Sequence, residues 1–186
     1  MSNSLLLWGV AAVVLFWSVG AYNRLVRLRS DANEAFAVMA AGLAGQAELV
    51  HASLPASMIH TGLTQPGELL DEVTELWSGL RAAATQLTVS VAAMRPRPLQ
   101  PDTAAALSQA RDVLLSAWVR VAQEADDLAG SSIPEALTQQ WQQLTAQSRA
   151  ASDNFNRAVE RYNDGIAQFP AILLAALFGF KPGRGV

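Results

Sequence analysis

The sequence predicts an all-α protein, a single N-terminal transmembrane helix continuous with an antiparallel up-down four-helix bundle. Three observations carry this. Leu5 to Tyr22 is a run without a charge. The remainder places apolar residues at helical spacing in four blocks divided by Pro- and Gly-containing breakers. No segment shows the two-residue alternation of a half-buried strand. At 186 residues the chain suits one domain plus an anchor.

The apolar run, about 18 residues, spans roughly 27 Å as a helix, just enough to cross a hydrocarbon core. Trp8 lies near one end and Trp17 with Tyr22 near the other, where amphipathic rings favour the headgroup level. Val19-Gly20-Ala21 offers small residues to a signal peptidase, so a cleaved signal is the competing reading. The charge order opposes it: Met1 to Ser4 holds no Lys or Arg, whereas Arg24, Arg27 and Arg29 follow the run at once. The positive-inside rule then puts residues 1–4 outside, 5–22 in the cell (inner) membrane as a single pass, and the rest in the cytoplasm.

The bundle is expected over 23–169. Leu25, Leu28, Ala32, Phe36, Met39, Leu43, Ala47, Val50 and Leu54 mark one helical face. That helix, about 23–53, should end before Pro55, with a loop from Pro55 to Gly67. Leu69, Val73, Leu76, Leu80, Leu87, Val91 and Met94 define a second helix, about 68–94, which the prolines of Arg95–Pro101 stop. Asp102 is the expected N-cap of a third, about 103–129, with Leu107, Ala110, Leu114, Ala117, Val121 and Leu128 inward and Gly130 as its stop. Ser132 and Glu135 suggest a capping box with Pro134 in the first turn. The fourth helix, about 133–169, then carries a coiled-coil-like seam: Leu137, Trp141, Leu144, Ser148, Ala151, Phe155, Val159, Tyr162, Ile166 and Phe169. Short loops imply antiparallel neighbours.

Parity returns the fourth helix to the membrane side. There the chain becomes apolar again from Phe169 and Pro170 through Leu174, Leu177 and Phe178 to Phe180. About twelve residues cannot span. Residues 170–186 are therefore expected as a short terminal helix closing the bundle, or as an interfacial segment, followed by a tail. The same pairing sets Glu160 and Asp164 within reach of Arg24, Arg27 and Arg29.

Charge and composition narrow the function. The 13 basic and 16 acidic residues interleave to a net −3, which leaves no broad electropositive face for nucleic acid. The absence of cysteine removes disulfides, thiolate metal sites and cysteine nucleophiles. Glu48-Leu49-Val50-His51 has the spacing of a di-iron ligand pair, yet such a site needs a second pair and two further carboxylates. The other histidine, His60, falls in a predicted loop, so neither metal nor cofactor is expected. With no Gly-rich phosphate loop and no Gly-x-Ser-x-Gly elbow, catalysis and a small-molecule substrate have no residue-level support. Tyr22-Asn23, Phe155-Asn156 and Tyr162-Asn163 pair an aromatic with an asparagine, the last two on one helical face. Phe155 and Tyr162 are expected in the seam, with the Asn amides bonded across to a neighbouring helix to set register.

Two stretches resemble the bacterial LemA family. Tyr22-Asn23-Arg24-Leu25-Val26-Arg27-Leu28-Arg29 looks like its first signature, and Phe155 to Pro170 continuing through Leu177-Phe178-Gly179-Phe180 looks like its C-terminal one. The resemblance implies an anchored cytoplasmic helical protein of undefined biochemical activity and supplies no catalytic residue. Ala40-Ala41-Gly42-Leu43-Ala44-Gly45-Gln46 departs from the family by being small and neutral, and Lys181–Val186 lacks its aromatic and acidic ending. The expected role is a scaffold or interaction module whose partners are membrane lipid and proteins. The rivals are an enzymatic or ligand-binding bundle with a buried polar site, and a lipid-interface protein acting through residues 169–180.

Overall fold

A computed structural model of the chain describes residues 2–61, 67–129, 133–169 and 171–186. They are all-helical, in the order α1 (Ser2–Thr61), α2 (Gly67–Met94), α3 (Pro101–Ala129), α4 (Glu135–Ala167) and α5 (Ala171–Phe178). Helix α1 packs along both α4 and α2, α2 packs on α3, and α5 rests on α1 and α4.

The direction of α4 follows from its partners on α1. Gly165 lies against Leu25 and Leu28, and Gly42 and Gly45 lie against Ser148 and Leu144. Between them the rings of Phe36 and Phe155 meet edge-on at 5.9 Å. Rising numbers on α1 meet falling numbers on α4, so the two are antiparallel. Small residues set the close approach: a Cβ on Gly42 would already touch Ser148 at 3.5 Å. The neutral stretch Ala40–Gln46 is thus an inter-helix contact surface.

One core runs through the four long helices, built from Phe36, Met39 and Leu43 of α1, Leu80 and Leu87 of α2, Leu107 and Leu114 of α3, and Phe155 and Val159 of α4. The helical spacing read from the sequence selects every one of these positions. Trp77 and Trp118 are also buried, although neither stands among the predicted apolar positions. Trp118 stacks on Trp141 at 4.2 Å and 13°, joining α3 to α4.

A polar chain crosses the α1–α4 interface. Gln46, buried at 1 % exposure, donates through Nε2 to Thr145 Oγ1 at 2.9 Å and accepts from Ser148 Oγ at 3.1 Å. Ser152 Oγ donates to the Ser148 carbonyl, and Arg111 of α3 donates to Ser152 Oγ at 3.3 Å. Among the described residues no buried side-chain nitrogen or oxygen lacks a partner. Buried polar groups of this kind fix register because any slip would orphan them.

Several boundaries differ from expectation. Helix α1 passes through Pro55 to Thr61, so His60 lies on helical backbone rather than in a loop. Proline removes one intrahelical bond but does not forbid continuation. In the preceding turn Ser53 Oγ donates to the carbonyls of Leu49 and Val50. Helix α3 starts at Pro101, one residue before the predicted cap Asp102. The Gln100 carbonyl accepts from the Ala104 N–H and the Thr103 hydroxyl, and proline at the first position forfeits no bond. Helix α4 is capped by Pro134, without a side-chain bond; Ser132, the other half of the predicted box, and Gly130 lie outside the described residues.

Helix α4 also ends at Ala167 rather than 169, with Gln168 extended. The residue before a proline is disfavoured in helical geometry, and Phe169 precedes Pro170, which itself lies outside the described residues. Phe169 therefore leaves the seam and is 78 % exposed.

Candidate functional site

Where α1 and α4 pair at the end next to the apolar run, α5 folds back onto them. Its small residues face inward: Ala171 and Ala175 are buried with Leu25, Tyr162 and Ile166. Its large ones, Ile172, Leu173, Leu177 and Phe178, are exposed, and Leu174 is half-buried. Phe178 and Phe180 approach Tyr22 at 5.0 and 6.0 Å, and Phe169 approaches Trp17 at 6.0 Å. The aromatic residues of the predicted flank and those of the apolar segment are thus brought together. Trp8 lies further along α1 and is exposed.

Helix α5 ends in a Schellman-type turn. Gly179 adopts φ +71°, a left-handed conformation that favours glycine, and the Phe180 N–H donates to the Ala175 carbonyl at 2.9 Å. The turn sends residues 181–186 along α4 in the opposite direction to it.

This strap is held by the aromatic-asparagine pairs. Asn163 Nδ2 donates to the Gly183 carbonyl at 2.9 Å while its Oδ1 accepts from the Gly183 N–H at 2.8 Å. Asn156 does the same to Val186, at 2.7 and 2.9 Å. Each carboxamide meets both main-chain groups of one residue, as a neighbouring strand does in an antiparallel pair. The spacing explains the fit: seven residues of helix rise about 10.5 Å, and three extended residues cover about 10 Å. Tyr162 Oη donates to the Lys181 carbonyl at 3.0 Å.

The asparagines therefore bond the chain's own C-terminal segment, not a neighbouring helix as expected. Periodicity located Asn156 and Asn163 but carried no information on the strap. The signal that could have found it is Gly183-x-Gly185, two glycines where an extended segment must pass close to the Leu99 turn and to α4. A Cβ on Gly183 would stand 3.0 Å from Leu99 Cδ2, and one on Gly185 would overlap the Asn156 carboxamide oxygen.

Tyr162 is buried, and burial raises its phenol above the ordinary value, opposed by the nearby Arg29 guanidinium. It stays a neutral donor. Beside it a cleft of about 570 Å³ opens between Arg29 and Asn33, the Pro96–Asp102 turn, and Gly179–Pro182. Arg24 Nη1 donates to Gln168 Oε1 at 3.1 Å. The expected pairing of Glu160 and Asp164 with the arginines is not formed: among the described residues the ion pairs are Arg111–Asp112 and Arg120–Glu124. All of the expected partners are exposed and well solvated, which leaves little gain in holding two long side chains together. Arg27 and Asn23 are likewise exposed. No group of three or more His, Asp or Glu side chains is placed to hold a metal among the described residues, and Glu48 with His51 stands alone.

The helices and the strap define a class: an all-α protein with a long apolar N-terminal helix and an asparagine-held C-terminal segment. The sequence model of the LemA family matches residues 56–185, and the chain belongs to that family. The match takes in the C-terminal stretch from Phe155 to Phe180, while Tyr22–Arg29 lies outside it. No curated protein and no solved structure matches the chain.

Proposed function

We propose that this LemA-family protein is a non-enzymatic, membrane-tethered four-helix bundle acting as a scaffold or protein-interaction module at the cytoplasmic face of a bacterial cell membrane. The observation that carries the tether is the exposed apolar surface of α1. Leu7, Val13, Leu15 and Phe16 are exposed, Phe16 at 84 %, on a helix long and apolar enough to cross a bilayer. A helix apolar all round and uncovered by protein calls for lipid as its solvent. The orientation rests on charge: Arg24, Arg27 and Arg29 follow the span and no basic residue precedes it. The interaction role is supported by a core built mainly of Leu, Ala and aromatic side chains, in which Gln46, Ser148 and Ser152 bond one another, neighbouring side chains or main-chain carbonyls.

A lipid-interface role for α5 is favoured by its inverted packing, with alanines on the bundle and large apolar side chains outward. Extraction and labelling of the full chain test the tether. The protein should stay in the membrane fraction through high salt and alkaline carbonate, because salt does not screen hydrophobic burial. A single cysteine at the exposed Gln140, in a chain that has none, should resist impermeant thiol reagents until cells are lysed. Labelling before lysis reverses the orientation, and release into carbonate removes the anchor.

A further inference from the structure

We propose that the α4 face bearing Asn156, Tyr162 and Asn163 is a binding site for an extended protein segment of the pattern Gly-x-Gly-aliphatic, occupied in this chain by its own residues 181–186. The ligand class follows from what the strap uses. Four of its five hydrogen bonds to α4 engage the main chain of Gly183 and Val186, and the fifth engages the Lys181 carbonyl. Recognition through main-chain groups is indifferent to most side chains and works as strand addition does, with a helix supplying the strand's partner groups. Selectivity enters at three positions. Glycine is favoured where the segment crosses Leu99, against which a Cβ would be tight, and where it crosses Asn156, whose carboxamide oxygen a Cβ would have to displace. An aliphatic side chain is required at the position of Val186, which packs partly buried against the main core. The residue between the glycines is free, since Arg184 is exposed.

The chain's own occupant is tethered by the turn at Gly179, only a few residues from its first bond. Short tethers give effective concentrations on the order of millimolar, so the strap outcompetes a free segment with the same contacts unless that segment binds better or the strap is displaced. The groove is thus a gated site, and the ligand is a partner segment in trans that matches the strap's pattern. This rests on the interaction-module reading and narrows it to one surface.

The full chain in detergent tests it with a fluorescent hexapeptide of the sequence Lys181–Val186. Gly185→Ala should evict the strap, because the added Cβ falls on the Asn156 oxygen that holds Val186. The hexapeptide should bind that variant at least about tenfold more tightly than the wild-type chain, which keeps its tethered competitor. Binding should disappear when Asn156→Ala and Asn163→Ala are added, and a hexapeptide carrying Gly185→Ala should not bind. Equal binding to wild type and variant, binding that survives loss of both asparagines, or no binding to the Gly185→Ala chain each overturns the proposal. A second measurement needs no variant: the Gly183 and Val186 amides of the wild-type chain should exchange with solvent more slowly than those of Arg184 and Gly185, and equal rates overturn it. The wild-type chain should also scatter as a monomer; a dimer that the hexapeptide dissolves would mean exchange of straps between copies instead. Detergent makes these readouts insensitive to the tether, and carbonate extraction is insensitive to the groove, so either reading can fail alone.

Discussion

Asn156 and Asn163 each satisfy a donor and an acceptor on a single residue of the strap, and a carboxylate in either place could satisfy only the donor. Tyr162 completes the set with a hydroxyl that must keep its proton to donate to Lys181. Burial raises that phenol, and Arg29 counters only in part, so the folded value lies above the ordinary value of about 10. A raised acid contributes stability that is fully present below the unfolded value and is lost as pH rises through the folded one. We expect the tyrosinate absorbance of a Tyr22→Phe chain, in which Tyr162 is the remaining tyrosine, to titrate later than free tyrosine. Tyr162→Phe should lower stability by about 0.5–1.5 kcal/mol at neutral pH, the net worth of one hydrogen bond. It should also abolish the alkaline loss of strap contacts followed by melting temperature against pH. An unchanged pH profile in Tyr162→Phe would assign that loss to another group.

At the scale of elements, α3 meets α4 through side chains rather than through close backbone approach: the stacked Trp118–Trp141 pair and the Arg111–Ser152 bond. Trp141→Ala should therefore destabilise by about 3–5 kcal/mol, as large aromatic truncations in cores do. A double-mutant cycle with Trp118→Ala should return a coupling of about 0.5–1.5 kcal/mol, the value expected for direct ring contact. Additivity in denaturant melts would mean that the rings are buried independently. The helices themselves were legible in the sequence because burial imposes a 3.6-residue period that Leu80, Leu114 or Phe155 displays without any tertiary knowledge. Boundaries were less so. Pro55 reads as a stop because proline deletes a bond, and α1 runs past it because one lost bond does not outweigh a long helix. The site was half legible. Aromatic-Asn pairs at a seven-residue spacing announce a shared face, whereas their partner is set by the Gly179 turn that folds the chain back. The register device actually present at the α1–α4 contact, Gln46 with Thr145 and Ser148, was hidden in a stretch that looked merely small and neutral.

The whole molecule concentrates two features at one end. Arg24, Arg27 and Arg29 of α1, Arg95 and Arg97 of the α2–α3 turn, and Lys181 of the strap share the end where α1 emerges from its apolar run. Beside them the outer face of α5 continues the exposed apolar surface of α1 through the Trp17–Phe169 and Tyr22–Phe178 contacts. Exposed apolar patches of this extent mark an interaction surface, and under the proposed tether the apolar run of α1 and the neighbouring basic residues make lipid the partner to test. Leu173 and Leu177, 63 % and 76 % exposed, should then reach acyl chains, while half-buried Leu174 faces the bundle more closely. The measurement is collisional quenching in the full chain reconstituted into vesicles whose lipids carry a nitroxide quencher, with a single cysteine-linked fluorophore at each position in turn. Quenching at Leu173 and Leu177 should exceed that at Leu174, and should far exceed that at Gln140, near the opposite end of α4. Adding anionic lipid should strengthen it, and raising salt should reverse that increment but not the rest, because the basic rim acts within a Debye length and apolar burial does not. Equal quenching at Leu177 and Gln140 would place the α5 face against protein instead of lipid.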